Sequence, residues 1–454
     1  MKTLLASLLL LAAATLPLRS AEPADFVVHE WGTFTSVQGV DGVQMDWNPL
    51  VAPDLPGFVY DVAKIQARRA AQLPGVPAFA PRSKTGMTCI QRMETPVIYI
   101  YTAKPLTIDV AVSFPAGTFT EWFPAASDIR RLPTYGNDRI TSAQSGLLQW
   151  PAISVVPPEL SIAALPQEQA GSHYYAARET DSALLHVPAQ IGGIVTRSLD
   201  LQQAVAGSHQ NVDVEKFLFY RGVANCQAPL TVKPDEANPH RFTVTNSGSD
   251  PLEHLFLCDL RTGDGTFRPI PKLAPGETRT VEHSANEGAP MSALSDRMCQ
   301  ALVAEGLYPK EAAAMVKTWT SAWFAEPGLR VLYTLPRAWT DKTLPLRVSP
   351  APRETVRVMV ARAEIITPAM EKALLAQVER YLARPATERP QIVEDTKALG
   401  LGRFAEPTLR RIMRSAPRSP QFSALSWELL MATINPSAPE ATSPQIATGR
   451  TPSR

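Results

Sequence analysis

Hydrophobic and polar positions alternate with a period of two through much of the chain before residue 225, and that alternation predicts strands. The first is Asp25 to Ser36, rich in β-branched and aromatic residues and followed by a turn at Gly39 to Gly42. Its phase puts His29, Trp31, Thr33 and Thr35 on one face and Val28, Glu30, Gly32 and Phe34 on the other. Glu30 therefore lies on a face that reads as buried, and a buried carboxylate needs a partner. Met93 to Tyr101 is a second strand, with Pro96 marking an edge position, a bulge or a late start. Leu106 to Phe114 alternates cleanly, and Gly117 to Phe123 is the expected hairpin partner. Leu147 to Val156, His173 to Asp181 and Glu215 to Gly222 read as further strands, and Val59 to Gln72 as a short helix ended by Pro74-Gly75.

From Cys226 to Ser284 the strands shorten: Leu230 to Val232, Arg241 to Val244, Leu255 to Leu257 and Thr278 to Val281, with polar connections. Val244-Thr245-Asn246-Ser247-Gly248 and Leu273 to Thr278 resemble Ig-like sandwich modules of secreted bacterial proteins through their turn chemistry. Ser292 to Glu305 and Pro309 to Phe324 read as helices, then Leu329 to Leu335, Leu344 to Val348 and Thr355 to Ile366 as strands. Helices follow from Thr367-Pro368, around Pro407 and around Phe422. The expected fold is mainly β with an α+β C-terminal part: β-sandwich domains including an Ig-like module, and helices toward the C-terminus. The expected organisation is a signal peptide over 1–21, an N-terminal β-rich domain over 22–225, the Ig-like module over 226–285, an α+β region over 286–434 and a disordered tail over 435–454.

Composition narrows the function classes. The 454 residues are 45% hydrophobic and 19% charged, with a formal net charge of +1. That balance leaves no basic excess for nucleic acid. Proline (42) outnumbers glycine (24), which suits stiff loops and edge strands. Lys2 followed by the apolar run Leu4 to Leu16 is a secretion-signal pattern, too short for a membrane span, with cleavage near Ser20 or Ala21. No later segment is apolar enough to cross a bilayer as a helix, so a secreted or periplasmic location is expected. In that oxidising setting the four cysteines, Cys89, Cys226, Cys258 and Cys299, suggest disulfides. Cys226 and Cys258 flank the first and third strands of the Ig-like segment, so their bridge is the expected one.

No zincin spacing follows His29-Glu30, no two histidines form a local ligand pair, and neither a phosphate loop nor a nucleophile elbow is present. No metal or cofactor is expected. Carboxylates beside aromatic residues remain. Glu30, Glu94 and Glu215 are the catalytic candidates, since paired carboxylates with an aromatic platform suit glycoside cleavage. His29, Trp31, Tyr99, Glu179, Asp181 and Arg221 are the binding candidates. The structural alternative is that Glu30, Glu94 and Glu215 pair with Arg178, Arg221 or Lys216 and tie strands together.

His29 to Thr35, Met93 to Tyr99, Glu215 to Arg221 and the Leu329 to Pro352 segment together resemble a group of uncharacterised secreted proteins of environmental bacteria. The resemblance implies a shared architecture for most of the chain after the signal, and carries no activity or catalytic residue. The expected function is an extracytoplasmic binding or envelope-associated protein, with carbohydrate or envelope components as partners. The alternative is a carbohydrate-active hydrolase working through paired carboxylates.

Overall fold

The computed structural model describes residues 24–48, 55–62, 87–126, 128–130, 145–168, 171–188, 212–261, 263–284, 288–415 and 419–434. The expected signal, the tail and most of the Val59 to Gln72 segment lie outside these residues; within the last, Tyr60–Asp61 is a strand. The protein is mainly β, with three sheets and helices toward the C-terminus.

The opening strand, Ala24–Gln38, is the middle of a ten-stranded sheet. In spatial order the sheet runs Ala289–Pro290, Thr266–Ile270, Glu253–Asp259, Leu329–Leu335, Pro352–Ile365, Ala24–Gln38, Gln91–Tyr101, Leu218–Ala224, Gly117–Phe123 and Tyr60–Asp61. The opening strand pairs parallel with Pro352–Ile365 and antiparallel with Gln91–Tyr101. A parallel pair needs a crossover; here most of the chain lies between the two strands. From Phe26 to Gln38 both faces are buried, which is why polar side chains on either face must find partners inside the protein.

Pro96 is accommodated by a bulge inside this sheet. The register shifts between Trp31 and Thr33 against the Gln91–Tyr101 strand, and Thr95 has φ of 60°. A Cβ at residue 32 would stand 2.8 Å from the Pro96 Cα, so the strand crossing the bulge carries Gly32.

A six-stranded sheet contains Leu346–Ser349, Leu106–Phe114, Gly146–Val156, Leu184–Pro188 and Val212–Glu215 in that order, with Asp128–Arg130 also on Gly146–Val156. Gly117–Phe123 is a strand, but it does not pair with Leu106–Phe114. It crosses into the large sheet beside Leu218–Ala224. The expected Glu215 to Gly222 strand is two strands, Val212–Glu215 and Leu218–Ala224, in different sheets. His173 to Asp181 is not a strand either. His173–Arg178 is a 3-10 helix, because the Ser172 hydroxyl accepts the Tyr174 N–H at 3.2 Å and caps a turn that aromatic propensity alone would not favour.

Between residues 226 and 285 the strands are shared out. Leu230–Pro234, Arg241–Asn246 and Thr278–Glu282 form a three-stranded sheet. Glu253–Asp259 and Thr266–Ile270 belong to the ten-stranded sheet, so the segment does not own both of its layers. The same arrangement disposes of the Cys226–Cys258 bridge. Cys258 lies opposite Arg330 and Phe267, while Cys226 follows Leu218–Ala224 on the far side of the opening strand. The structure bridges none of the four cysteines.

Helices Leu294–Ala304 and Pro309–Thr320 pack on the main core. Pro368–Ala383, Arg389–Lys397, Ala405–Ser415 and Pro420–Ile434 enclose a second core with Leu374, Val378, Leu409 and Leu429 at its centre. Thr367 starts this group, its hydroxyl accepting the Met370 N–H at 3.3 Å. Among the described residues no helix is long and apolar enough to cross a membrane.

Candidate functional site

The parallel register places Glu30 beside Arg357. Both side chains are buried, and Arg357 Nε donates to Glu30 Oε2. Tyr220, two strands away, donates its hydroxyl to the other Glu30 oxygen. Arg357 also donates to Asp341 Oδ1 and to the Leu344 carbonyl, each at 2.7 Å. Burial lowers the Arg357 guanidinium, but the Glu30 charge together with Tyr220 and the hydrogen bonds to Glu30 and Asp341 outweighs it and the net direction is upward, so Arg357 stays charged.

Arg357 forms part of the wall of a cavity of about 670 Å3. The cavity lies between the Leu106–Phe114, Gly146–Val156 and Leu346–Ser349 strands and the short helix Arg337–Thr343. Its charged lining is Arg337, Arg347, Arg357, Asp109 and Asp341. Arg337 donates to Asp341 at 2.7 Å and to the Thr355 carbonyl at 2.7 Å. Burial raises the Asp341 carboxyl, yet the hydrogen bonds from Arg357 and Arg337 prevail and hold it below the usual carboxylate range. Asp109 accepts the Ala152 N–H at 2.7 Å. Arg347 is exposed and makes no ion pair with a described residue. The cavity thus presents three guanidinium groups against two carboxylates, and one of those carboxylates is already held by two arginines.

The other expected site residues are elsewhere. Glu215 is buried and receives Arg178 at 2.6 Å, the Tyr174 hydroxyl at 3.0 Å and the Lys216 N–H at 2.8 Å. Glu94 meets Arg403 at 3.4 Å and accepts the Thr35 hydroxyl at 3.2 Å. His29 Nδ1 lies 2.6 Å from Glu311 in the buried interface with the Pro309–Thr320 helix. Trp31 and Tyr99 are core residues, and the Tyr99 hydroxyl donates to the Ala177 carbonyl at 2.6 Å. Arg221 is buried, 3.0 Å from His173 Nε2 and 3.2 Å from the Thr95 hydroxyl. Glu179 and Asp181 are exposed and pair with Lys317 and Lys310 at 2.5 and 2.7 Å. None of these residues lines the cavity. His29, His173 and Glu30 go to separate partners, and among the described residues no group of three or more His, Cys, Asp or Glu side chains is placed to hold a metal.

Arg357 carried the same signal in the sequence as Glu30. It is a charge inside the apolar run Val356-Arg357-Val358-Met359-Val360. Two lone charges in two buried strands are complementary, and Arg357 is the ion-pair partner of Glu30 although Arg357 also takes the nearer Asp341. Arg337, Asp341 and Asp109 carried no comparable signal, because charges at exposed positions of a short helix or of an alternating strand are ordinary.

No family model matches the chain, and no curated protein matches it. Solved structures similar to part of it include the Fcho1 mu-homology domain of Danio rerio with a bound Eps15 peptide. That match has 8% identity and a TM-score of 0.28, covering 77% of this chain and 100% of that one. The yeast delta-COP-I mu-homology domain matches at 9% identity and a TM-score of 0.28, covering 76% of this chain and 99% of that one. Its complex with a Dsl1 WxWxV peptide matches at 8% and 0.27, covering 76% and 99%. Likenesses at this level carry no functional argument.

Proposed function

We propose that the protein is a non-catalytic extracytoplasmic binding or envelope-associated protein, and that the cavity beside Arg357 is its ligand site. One observation carries the reading: each carboxylate that qualified for acid–base work is held by an arginine, Glu30 by Arg357, Glu94 by Arg403 and Glu215 by Arg178. A glycoside hydrolase needs a carboxyl poised to give up a proton near neutral pH. Asp341, the acid of the cavity that contacts Arg357, is shifted the opposite way. Arg347, the exposed guanidinium of the cavity with no ion pair to a described residue, suits an acidic ligand, an envelope component or saccharide bearing carboxylate, phosphate or sulfate groups. The resemblance to secreted bacterial proteins and the reading of Leu230 to Glu282 as an Ig-like layer fused to the large sheet belong to the same proposal.

The test is calorimetric titration of the full chain with polygalacturonate, with neutral dextran as the control, at two salt concentrations. Binding of the acidic polymer alone is expected, weakened by salt and at least tenfold by Arg347→Glu. Equal binding of dextran, or no effect of Arg347→Glu, would remove the cavity from the proposal. Release of reducing ends during the titration would favour the hydrolase.

A further inference from the structure

We propose that Cys89 and Cys226 are a disulfide-forming pair. The strands Gln91–Tyr101 and Leu218–Ala224 are antiparallel, with Val223 opposite Arg92 and Ala224 opposite Gln91. The ladder ends at Ala224 and Gln91, and that register continued by two residues would set Cys226 opposite Cys89. The chains stay together past the last ladder pair, since Asn225 Oδ1 accepts the Ile90 N–H at 3.3 Å. Cys89 is itself anchored, exchanging backbone hydrogen bonds with Trp47 at 3.0 and 3.2 Å. Residues opposed in an antiparallel pair have Cα atoms roughly 4.5–5.5 Å apart, inside the roughly 4.4–6.8 Å range of disulfides. Burial first, and then the neighbouring Cys89, push the Cys226 thiol up to about 12, which independently places the two sulfurs in one electrostatic neighbourhood.

Cys226 also lines a second cavity, of about 570 Å3, so an exchange partner has a route to it. With oxidised glutathione as the oxidant, the Cys226 thiolate attacks one glutathione sulfur, forming a mixed disulfide and releasing one glutathione thiol. The Cys89 thiolate then attacks the Cys226 sulfur and releases the second. Two protein thiols are oxidised and one glutathione disulfide is reduced to two thiols. The elevated Cys226 pKa makes this slow in the folded protein at neutral pH and faster before the site is buried. Cys258 and Cys299 lie in the Glu253–Asp259 strand and the Leu294–Ala304 helix, away from this register. They are expected to stay reduced.

The test is to refold the full chain in a glutathione redox buffer at pH 8.5, alkylate the remaining thiols and map peptides without reduction. The expected product is one peptide joining residues 89 and 226, with Cys258 and Cys299 alkylated. Melting temperature should fall by several degrees when this bridge is reduced. Cys89→Ser should lose that response, and Cys258→Ser should keep it. Four alkylated cysteines after refolding, or Cys226 joined to Cys258 or Cys299, overturns the proposal. The ligand reading stands or falls separately, since neither cysteine lines the Arg357 cavity.

Discussion

Glu30 receives a guanidinium on one oxygen and a phenol on the other, and both donors are buried with it. Glu30→Gln keeps an acceptor for Tyr220 but removes the charge that compensates Arg357. Breaking one side of a buried pair costs about 3–5 kcal/mol. Arg357 retains Asp341, so the low end of that range is expected, with a melting temperature several degrees below wild type. Glu30→Leu with Arg357→Met removes both charges and should recover much of the loss. A Glu30→Gln variant that melts at or above the wild-type temperature would end the structural reading of this residue. His173 offers a pH test. Arg221 can only donate, so His173 Nε2 accepts and the ring is neutral. Burial, and then the Arg221 charge, lower His173 to about 4. The unfolded chain takes up this proton near pH 6.5 and the folded chain only near 4. The contribution is therefore complete above pH 6.5 and is lost as pH falls from there through 4, by roughly 3 kcal/mol in all. His173→Gln should flatten the fall in melting temperature between pH 7.5 and 5. A variant as steep as wild type would show that other groups set the slope.

At the scale of elements, what could be read from the sequence followed the local period. Ala24–Gln38, Leu106–Phe114 and Gly146–Val156 were visible because alternation and β-branching agree there. Pro368–Ala383 was visible because Thr367 and Pro368 announce it. The failures arose where a capping hydroxyl or a distant strand outweighs propensity. Ser172 turns an aromatic stretch into a 3-10 helix. Gly117–Phe123 satisfies its edge with Leu218–Ala224 rather than with its neighbour in sequence, and no residue of that hairpin-like stretch signals the choice. The bulge at Thr95-Pro96 was among the readings of Pro96, and Gly32 is its counterpart across the ladder. The Glu30–Arg357 pair was half legible: the buried acid was evident, but its partner lies at the end of a crossover spanning most of the chain. Arg178, which is nearer in sequence, serves Glu215 instead. The cavity was not legible, since it is bounded by strands and a helix from three separate stretches of chain.

Across the whole molecule, two cores are joined by a cluster of charges and rings. The main core fills the space between the sheets, and the C-terminal helices have their own. Between them lie Val37, Met45, Trp47, Ile366 and Phe404. Arg403 sits over this junction, 5.8 Å from the Trp47 ring and 5.1 Å from the Phe404 ring. It reaches Glu326 at 3.2 Å and Glu94 at 3.4 Å, both on the sheet side. Glu326 is shared with Arg362 at 2.6 Å, so it keeps a counter-charge when Arg403 is removed. Burial raises the Glu326 carboxyl, and Arg362 with Arg403 reverse that to a net lowering. Arg411 makes a second tie, to Asp41 at 3.0 Å. Arg403→Ala should therefore loosen the junction without emptying either core. The expected calorimetric result is a split transition, with the residue 368–434 helices unfolding first and exchanging their amide hydrogens earlier than the sheets. A single transition shifted as a whole would mean that the apolar junction and the Arg411–Asp41 tie couple the two parts without Arg403, and that the charges of Arg403 contribute only to the stability they share.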